Sequence, residues 1–322
     1  MDIRVSTGSA IQLGLQRGNM LAAPTTLYTM LGDACAGGCL FCTQSRASRS
    51  DPKFLSRVSW PLYDLEDVVA RLKSARDVGR LCIQTTKYPG LVPDLLTVVE
   101  AFRAASDLPI SICMNPVGKA TLLQLKDAGA DRVGVGLDCA SEATFNAMKP
   151  GFSWAQYQQF VADTLDVFGT GSVHLIVGLG DSDEALIRSI QRFHDPGCTV
   201  ALFAFTPVRG TVLEIPPPPA GRYRALQLAR HLIVHDLATL ADLRFEGEKL
   251  VQIDVAPDVL QAALDSGTAF RTSGCPSCNR PLYNERPGGV MYNFPQPLTV
   301  EEKETVRREL NTYLDGRETR NV

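Results

Sequence analysis

Long apolar runs are missing from this 322-residue chain; none approaches the roughly 20 residues a helix needs to cross a bilayer. A basic excess is missing too. The net charge is −3 with 21% charged residues, which gives no basic surface to attract nucleic acid or an anionic membrane, so neither is expected as a partner. The opening MDIRVSTGSAIQ lacks the basic-then-apolar plan of a secretory signal, and the expectation is a soluble cytoplasmic protein. Internal repeats and low-complexity segments are also absent, which excludes a repeat architecture.

What is present is a 45% hydrophobic chain long enough for one large α/β barrel or two smaller domains. Apolar, often β-branched runs alternate with longer amphipathic stretches, the pattern of βαβ units. Strands are expected at Leu27–Leu31, Arg80–Thr86, Ile110–Asn115, Arg132–Asp138, Ser172–Leu179 and Val200–Thr206, with weaker ones at Arg244–Glu248 and Thr268–Thr272. Helices are expected at Leu65–Val78, Pro93–Ala105, Lys119–Ala128, Trp154–Phe168, Asp183–His194 and Gly221–Asp242. Eight such units over about 250 residues predict a (β/α)8 TIM-type barrel, with an open doubly wound sheet as the competing architecture. The expected organisation is an N-terminal extension (1–24), the barrel (25–274) and a C-terminal segment (275–322). That last segment ends in a charged helix, Glu301–Asp315, which reads as exposed and is stopped by Gly316.

Side chains alternate faces along a strand. If the large apolar residues pack outward on helices, the lumen receives Cys82, Gln84 and Thr86, then Ser111, Cys113 and Asn115, then Gly134, Gly136 and Asp138, then Ser172 and His174. Such residues pack a core poorly. They point to a site.

Nine cysteines is an odd number, and five of them fall in two tight clusters. A chain of this size is a poor candidate for a disulfide scaffold, so the clusters read as metal ligands. Directly after the first expected strand stands Cys35-Ala-Gly-Gly-Cys39-Leu-Phe-Cys42, a C-x3-C-x2-C spacing whose glycines let backbone wrap a bulky group. Structural zinc takes four ligands in closed pairs, which this spacing fits badly. Three thiolates complete three corners of a cubane cluster and leave the fourth iron open to a further ligand.

This tri-cysteine loop after strand one resembles the radical S-adenosylmethionine (SAM) superfamily. The resemblance implies a [4Fe–4S] cluster on Cys35, Cys39 and Cys42 with SAM at the open iron. It also implies that Phe41 and Ile176, in Ile176-Val-Gly-Leu-Gly180, lie near the adenine, and that Gly136 and Asp138 lie near the ribose. Gly136 stands where the family has a polar residue, and a glycine-rich strand end also reads as a plain turn.

A second pair, Cys275-Pro-Ser-Cys278, follows the last expected strand and is expected at the C-terminal face of the barrel. Cys82 and Cys113 face the same lumen. The chain resembles the biotin-synthase-related branch, whose second cluster draws cysteines from strands two, three and five; here strand five offers Ser172 and His174 instead. An auxiliary iron–sulfur cluster on Cys82, Cys113, Cys275 and Cys278 is expected, against small zinc at the pair and plain core packing for the strand cysteines. Cys139 and Cys198 read as core, and His231 with His235 as a surface or partly buried helix pair rather than ligands.

The tail from Thr272 to Gly289 resembles subunits of the two-component lipoyl synthase. That implies a sulfurtransferase of lipoate biosynthesis, inserting sulfur from the auxiliary cluster into unactivated C–H bonds of an octanoyl chain on a lipoyl carrier protein. The implied partners are that octanoylated carrier, a second related radical SAM subunit and a low-potential donor such as ferredoxin or flavodoxin. Arg271, Arg280 and Arg286 are expected near the mouth as anchors for an acidic partner, or else as solvated charges. Alternatives are another biotin-synthase-like reaction (biotin synthesis, or a hydrogenase-cofactor or methylornithine type of fragmentation or rearrangement) and a non-catalytic iron–sulfur scaffold or electron carrier.

Overall fold

The structure is a computed structural model describing residues 1–285 and 288–316. Strand β1 (Asp2–Val5) and helix α1 (Thr7–Gln12) precede β2 (Leu27–Leu31); a short hairpin, β3 (Phe54–Leu55) and β4 (Val58–Ser59), and β5 (Leu62–Asp64) follow. Strands and helices then alternate: α2 (Leu65–Leu72), β6 (Leu81–Thr85), α3 (Leu91–Ala105), β7 (Ile110–Cys113), α4 (Lys119–Asp127), β8 (Arg132–Asp138), α5 (Glu142–Met148), α6 (Trp154–Phe168), β9 (Gly171–Val177), α7 (Asp183–His194), β10 (Cys198–Ala204) and α8 (Ala220–Val234). The chain continues with β11 (Leu243–Glu246), β12 (Lys249–Ile253), α9 (Pro257–Ser266) and α10 (Val300–Leu314). Helix starts are set locally. The side chains of Asp64, Ser141, Ser153, Ser182 and Thr299 each accept a first-turn backbone N–H, satisfying donors that the helix itself leaves unpaired.

The main sheet runs β10-β9-β8-β7-β6-β2-β1-β5, parallel from β10 to β2 and antiparallel from β2 through β1 to β5. The fold is therefore α/β and TIM-like, as a partial barrel with edges at β10 and β5. The expected strand parity holds. Ile83, Ile112, Val133, Val135, Val173 and Leu175 are buried against the helix layer, leaving the polar alternates to the lumen.

Two expected barrel strands are corrected. Leu243–Glu246 pairs with β12 in a separate antiparallel hairpin, because Gly247 and Glu248 both adopt positive φ, at +52° and +68°. Two successive positive φ values make a tight turn that returns the chain on itself before it can reach the sheet. Thr268–Phe270 is a 3-10 turn entered through Gly267 at φ +69°, and Arg271 keeps one isolated bridge, to Phe294. Among the described residues the parallel series therefore has six strands rather than eight. Helix α8 stops at Val234, short of Asp242, with Asp236 at φ +56° just beyond. Helix α10 is not simply exposed, since Val306, Leu310 and Tyr313 are buried along its packing with α8.

The C-terminal segment crosses the open side of the barrel. At the β10 edge Leu202 N donates to Ser273 Oγ (2.8 Å) and Asn284 Nδ2 to Ala204 O (3.0 Å). At the β2 side Asn279 accepts from Thr25 N (3.0 Å) and donates to Ala23 O (2.8 Å), while Thr26 Oγ1 donates to Ser277 O (2.7 Å). Among the described residues no helix is long and apolar enough to cross a membrane.

Candidate active site

A cavity of about 300 Å³ occupies the lumen, and both cysteine sets line it. At its upper end the loop after β2 carries Cys35, Cys39 and Cys42. That loop is tied down by Gln44, whose Nε2 donates to the carbonyls of Pro52 (2.8 Å) and Phe54 (2.7 Å). Backbone N–H groups of Gly37 and Lys87 point at Cys35 Sγ, each at 3.3 Å. The glycines are needed for space: a Cβ on Gly37 would stand 2.7 Å from the Phe152 ring, and one on Gly38 would stand 3.0 Å from Pro150 O. Burial pushes the Cys39 thiol up to about 12 and the Cys42 thiol up to about 11. Buried thiols of this kind give up their protons to an electrophilic metal rather than to solvent.

Phe41, Gly136, Asp138 and Ile176 line the same cavity. Gly136 is small because a Cβ there would come within 3.1 Å of the Asp138 carboxylate. Asp138 ends β8 at φ +69° and receives Lys149 Nζ at 2.7 Å. Lys149 also donates to Gly136 O and lies over the Tyr157 ring, 4.4 Å from its centroid. Its side chain is 3% exposed. Burial is the largest single influence on the Lys149 pKa and works to lower it, but Asp138, Tyr157 and Cys39 together outweigh it and the net shift is upward. Sequence reasoning missed Lys149, because a lysine before Pro-Gly reads as a solvated loop residue.

The lower end holds Cys82, Cys113, Cys275 and Cys278. Burial, then Cys275, Cys278 and Cys113, raise the Cys82 thiol well above its usual pKa, so the four share one neighbourhood. Gln84 Nε2 donates to Cys82 Sγ (3.1 Å), Ser172 Oγ sits 3.1 Å from Cys275 Sγ, His174 Nδ1 lies 3.7 Å from Cys113 Sγ and Tyr28 Oη lies 3.5 Å from Cys278 Sγ. The expected position of the C-x2-C pair is corrected. Its neighbours are Ser172 near the start of β9, Arg80 just before β6 (Nε to Pro276 O, 3.0 Å) and Thr25 and Thr26 before β2, all at the strand N-terminal end. The reason is the lost final strand: the chain dives across the open side instead of emerging at the top.

Arg280 is likewise not at the mouth. It is buried, with its guanidinium 3.6 Å from the Phe203 ring centroid and Nη2 donating to Ser273 O (2.6 Å). Its Nε and Nη1 find no hydrogen-bond partner among the described residues, leaving a buried cation with donors to spare beside Cys278. Arg271 is exposed, and Arg286 lies outside the described residues. Cys139 and Cys198 are buried in the core, and His231 and His235 stack on α8 at 4.2 Å. No group of three or more His, Cys, Asp or Glu among the described residues is gathered tightly enough for a single metal ion. Thiols spread around a cavity suit a larger inorganic group. The donor sets at both ends, the glycine cradle and the unsatisfied Arg280 are consistent with anionic iron–sulfur clusters.

The family model described as Radical SAM superfamily matches residues 29–193. Among solved structures, methylornithine synthase (PylB) is similar over 65% of this chain and 62% of its own, at TM-score 0.55 and 15% identity. The FeFe-hydrogenase maturase HydG from Carboxydothermus hydrogenoformans is similar over 90% of this chain and 76% of its own, at TM-score 0.54 and 14% identity. The chain thus spans about three-fifths of the length of methylornithine synthase, and identities this low speak for the fold alone. No curated protein matches the chain.

Proposed function

We propose, from the premise that the chain belongs to the radical SAM superfamily, that it inserts sulfur into unactivated C–H bonds of an octanoyl chain as a lipoyl synthase subunit. The observation that carries this reading is one cavity with a cysteine set at each end: Cys35, Cys39 and Cys42 above, and Cys82, Cys113, Cys275 and Cys278 below. In this reading the upper set holds the SAM-binding [4Fe–4S] cluster and the lower set holds an auxiliary iron–sulfur cluster that donates the sulfur. Loaded in this way, a superfamily member has at its disposal a reductively generated 5′-deoxyadenosyl radical that abstracts hydrogen from unactivated carbon.

The chain's own residues do the positioning. Lys149 fixes the Asp138 carboxylate at the edge of the SAM pocket, and Phe41 and Ile176 offer apolar faces there. Arg280 places positive charge beside the lower thiols, which favours an anionic group among them. Phe203, Phe205, Met30 and Leu55 add apolar surface to the lumen, suited to an aliphatic chain.

The test is iron and acid-labile sulfide per chain after anaerobic reconstitution, for wild type and the Cys35/Cys39/Cys42→Ala variant. Two clusters in wild type and one in the variant are expected, followed by sulfide loss during turnover of octanoylated carrier protein. A variant devoid of iron would sink the auxiliary cluster. A second reading, a rearrangement or fragmentation of the methylornithine or hydrogenase-cofactor type, draws support from the similarity of the fold to methylornithine synthase and to the hydrogenase maturase HydG. Turnover without sulfide loss would select it.

A further inference from the structure

We propose that a basic rim on the β10 side of the mouth docks the acidic carrier protein that presents the acyl chain; this rests on the octanoyl reading above. Two segments frame that side: the loop after the cluster motif, residues 43–57, and the loop after β10, residues 205–210. They are laced together. Arg49 N donates to Gly210 O (2.7 Å), Ser50 Oγ to Arg209 O (2.8 Å) and Arg57 Nη2 to Pro207 O (3.1 Å). Their inward residues, Leu55, Ser56, Phe205, Thr206 and Val208, line the cavity, while Arg46, Arg49, Lys53, Arg57 and Arg209 are exposed outside it.

Charge sets the kind of partner. These two segments carry Arg46, Arg49, Lys53, Arg57 and Arg209 against one carboxylate, Asp51, which Lys53 engages at 2.9 Å. The chain as a whole carries net charge −3, so the rim is a local reversal of sign. Such a patch steers and orients an acidic surface. An aliphatic chain reaching the apolar lumen past Leu55 and Val208 leaves its carrying body directly over Arg49, Arg57 and Arg209. A free fatty acid needs one cation; a protein domain needs a surface.

The experiment is binding of octanoylated carrier protein to the cluster-loaded enzyme at low and high salt. Wild type is compared with the exposed triple reversal R46E/R49E/R209E and with the control reversal R244E/R308E. Binding at least about tenfold weaker in the triple variant, with its salt dependence lost and the control unchanged, is the expected result. Absence of binding in wild type, equal binding by the triple variant, or an equal loss in the control overturns the surface. So does loss of a second radical SAM subunit with the carrier still bound. Turnover of a short octanoyl-lysyl peptide is read separately and should survive the triple reversal. If wild type binds the carrier through the rim but acts on no octanoyl substrate, the chemical reading fails and the docking surface stands.

Discussion

A lysine buried to the degree of Lys149 needs a partner, and the Asp138 carboxylate at 2.7 Å is that partner. The pair sits among Phe145, Phe152 and Tyr157, whose rings all face the ammonium within 5.6 Å, so solvent screening is weak. Removing one charge of such a pair leaves the other stranded. Lys149→Met should therefore cost about 3 kcal/mol in urea unfolding, and adding Asp138→Asn should recover most of it. SAM binding should weaken in both variants, because neither retains an ordered carboxylate at the end of β8. An unfolding curve unchanged in Lys149→Met would dismiss the pair as a support. At this scale the cysteines and Asp138 were legible in the sequence, since their spacing and strand parity carry the information. Lys149 and Arg280 were not: both reach their places through tertiary contacts, and both are charges that sequence reasoning puts at the surface.

Asn279 shows how a whole segment depends on one side chain. It accepts from Thr25 N and donates to Ala23 O, fastening the stretch with Cys275 and Cys278 beneath β2. It is buried, so truncation leaves two backbone groups unpaired. Asn279→Ala should lower stability by about 2 kcal/mol and, on the proposed two-cluster reading, release iron from the lower site faster than from the upper. Asn279→Asp, which keeps only the acceptor, should fall between. Equal iron release from both sites would show that the segment does not set the lower site. The six parallel strands and most helices were readable because each is an apolar run with a periodicity of its own. The last two strands failed for a local reason. The Gly247-Glu248 turn and the Gly267 turn decide the path of the chain over two residues each, and no pattern averaged over a strand detects them. Their loss moved the cysteine pair from one end of the barrel to the other.

For the molecule as a whole, buried histidines dominate the response to mild acid. Burial, then His235 and Arg230, push the His231 pKa down to about 4, and burial, then Arg280 and Lys149, push His174 down to about 3. In the unfolded chain both titrate near 6.5. As pH falls below that value the unfolded state takes up protons that the folded state refuses, so stability present above 6.5 is lost on the way down to about 4. Glu285 works the other way. Burial raises its pKa, so the folded state binds its proton first and that part of the stability grows as pH falls. Two groups oppose one, and the net slope is destabilising. His174 touches Cys113 and responds to whatever the lower site holds, whereas His231 lies on α8 away from both cysteine sets and isolates the effect. His231→Gln should therefore flatten the dependence of unfolding free energy on pH between 6.5 and 5 by about one proton, roughly 1.4 kcal/mol per pH unit at most. Parallel urea titrations of wild type and variant across that window decide it: lines of equal slope would mean that His231 is protonated in the fold and that its burial does not hold it neutral.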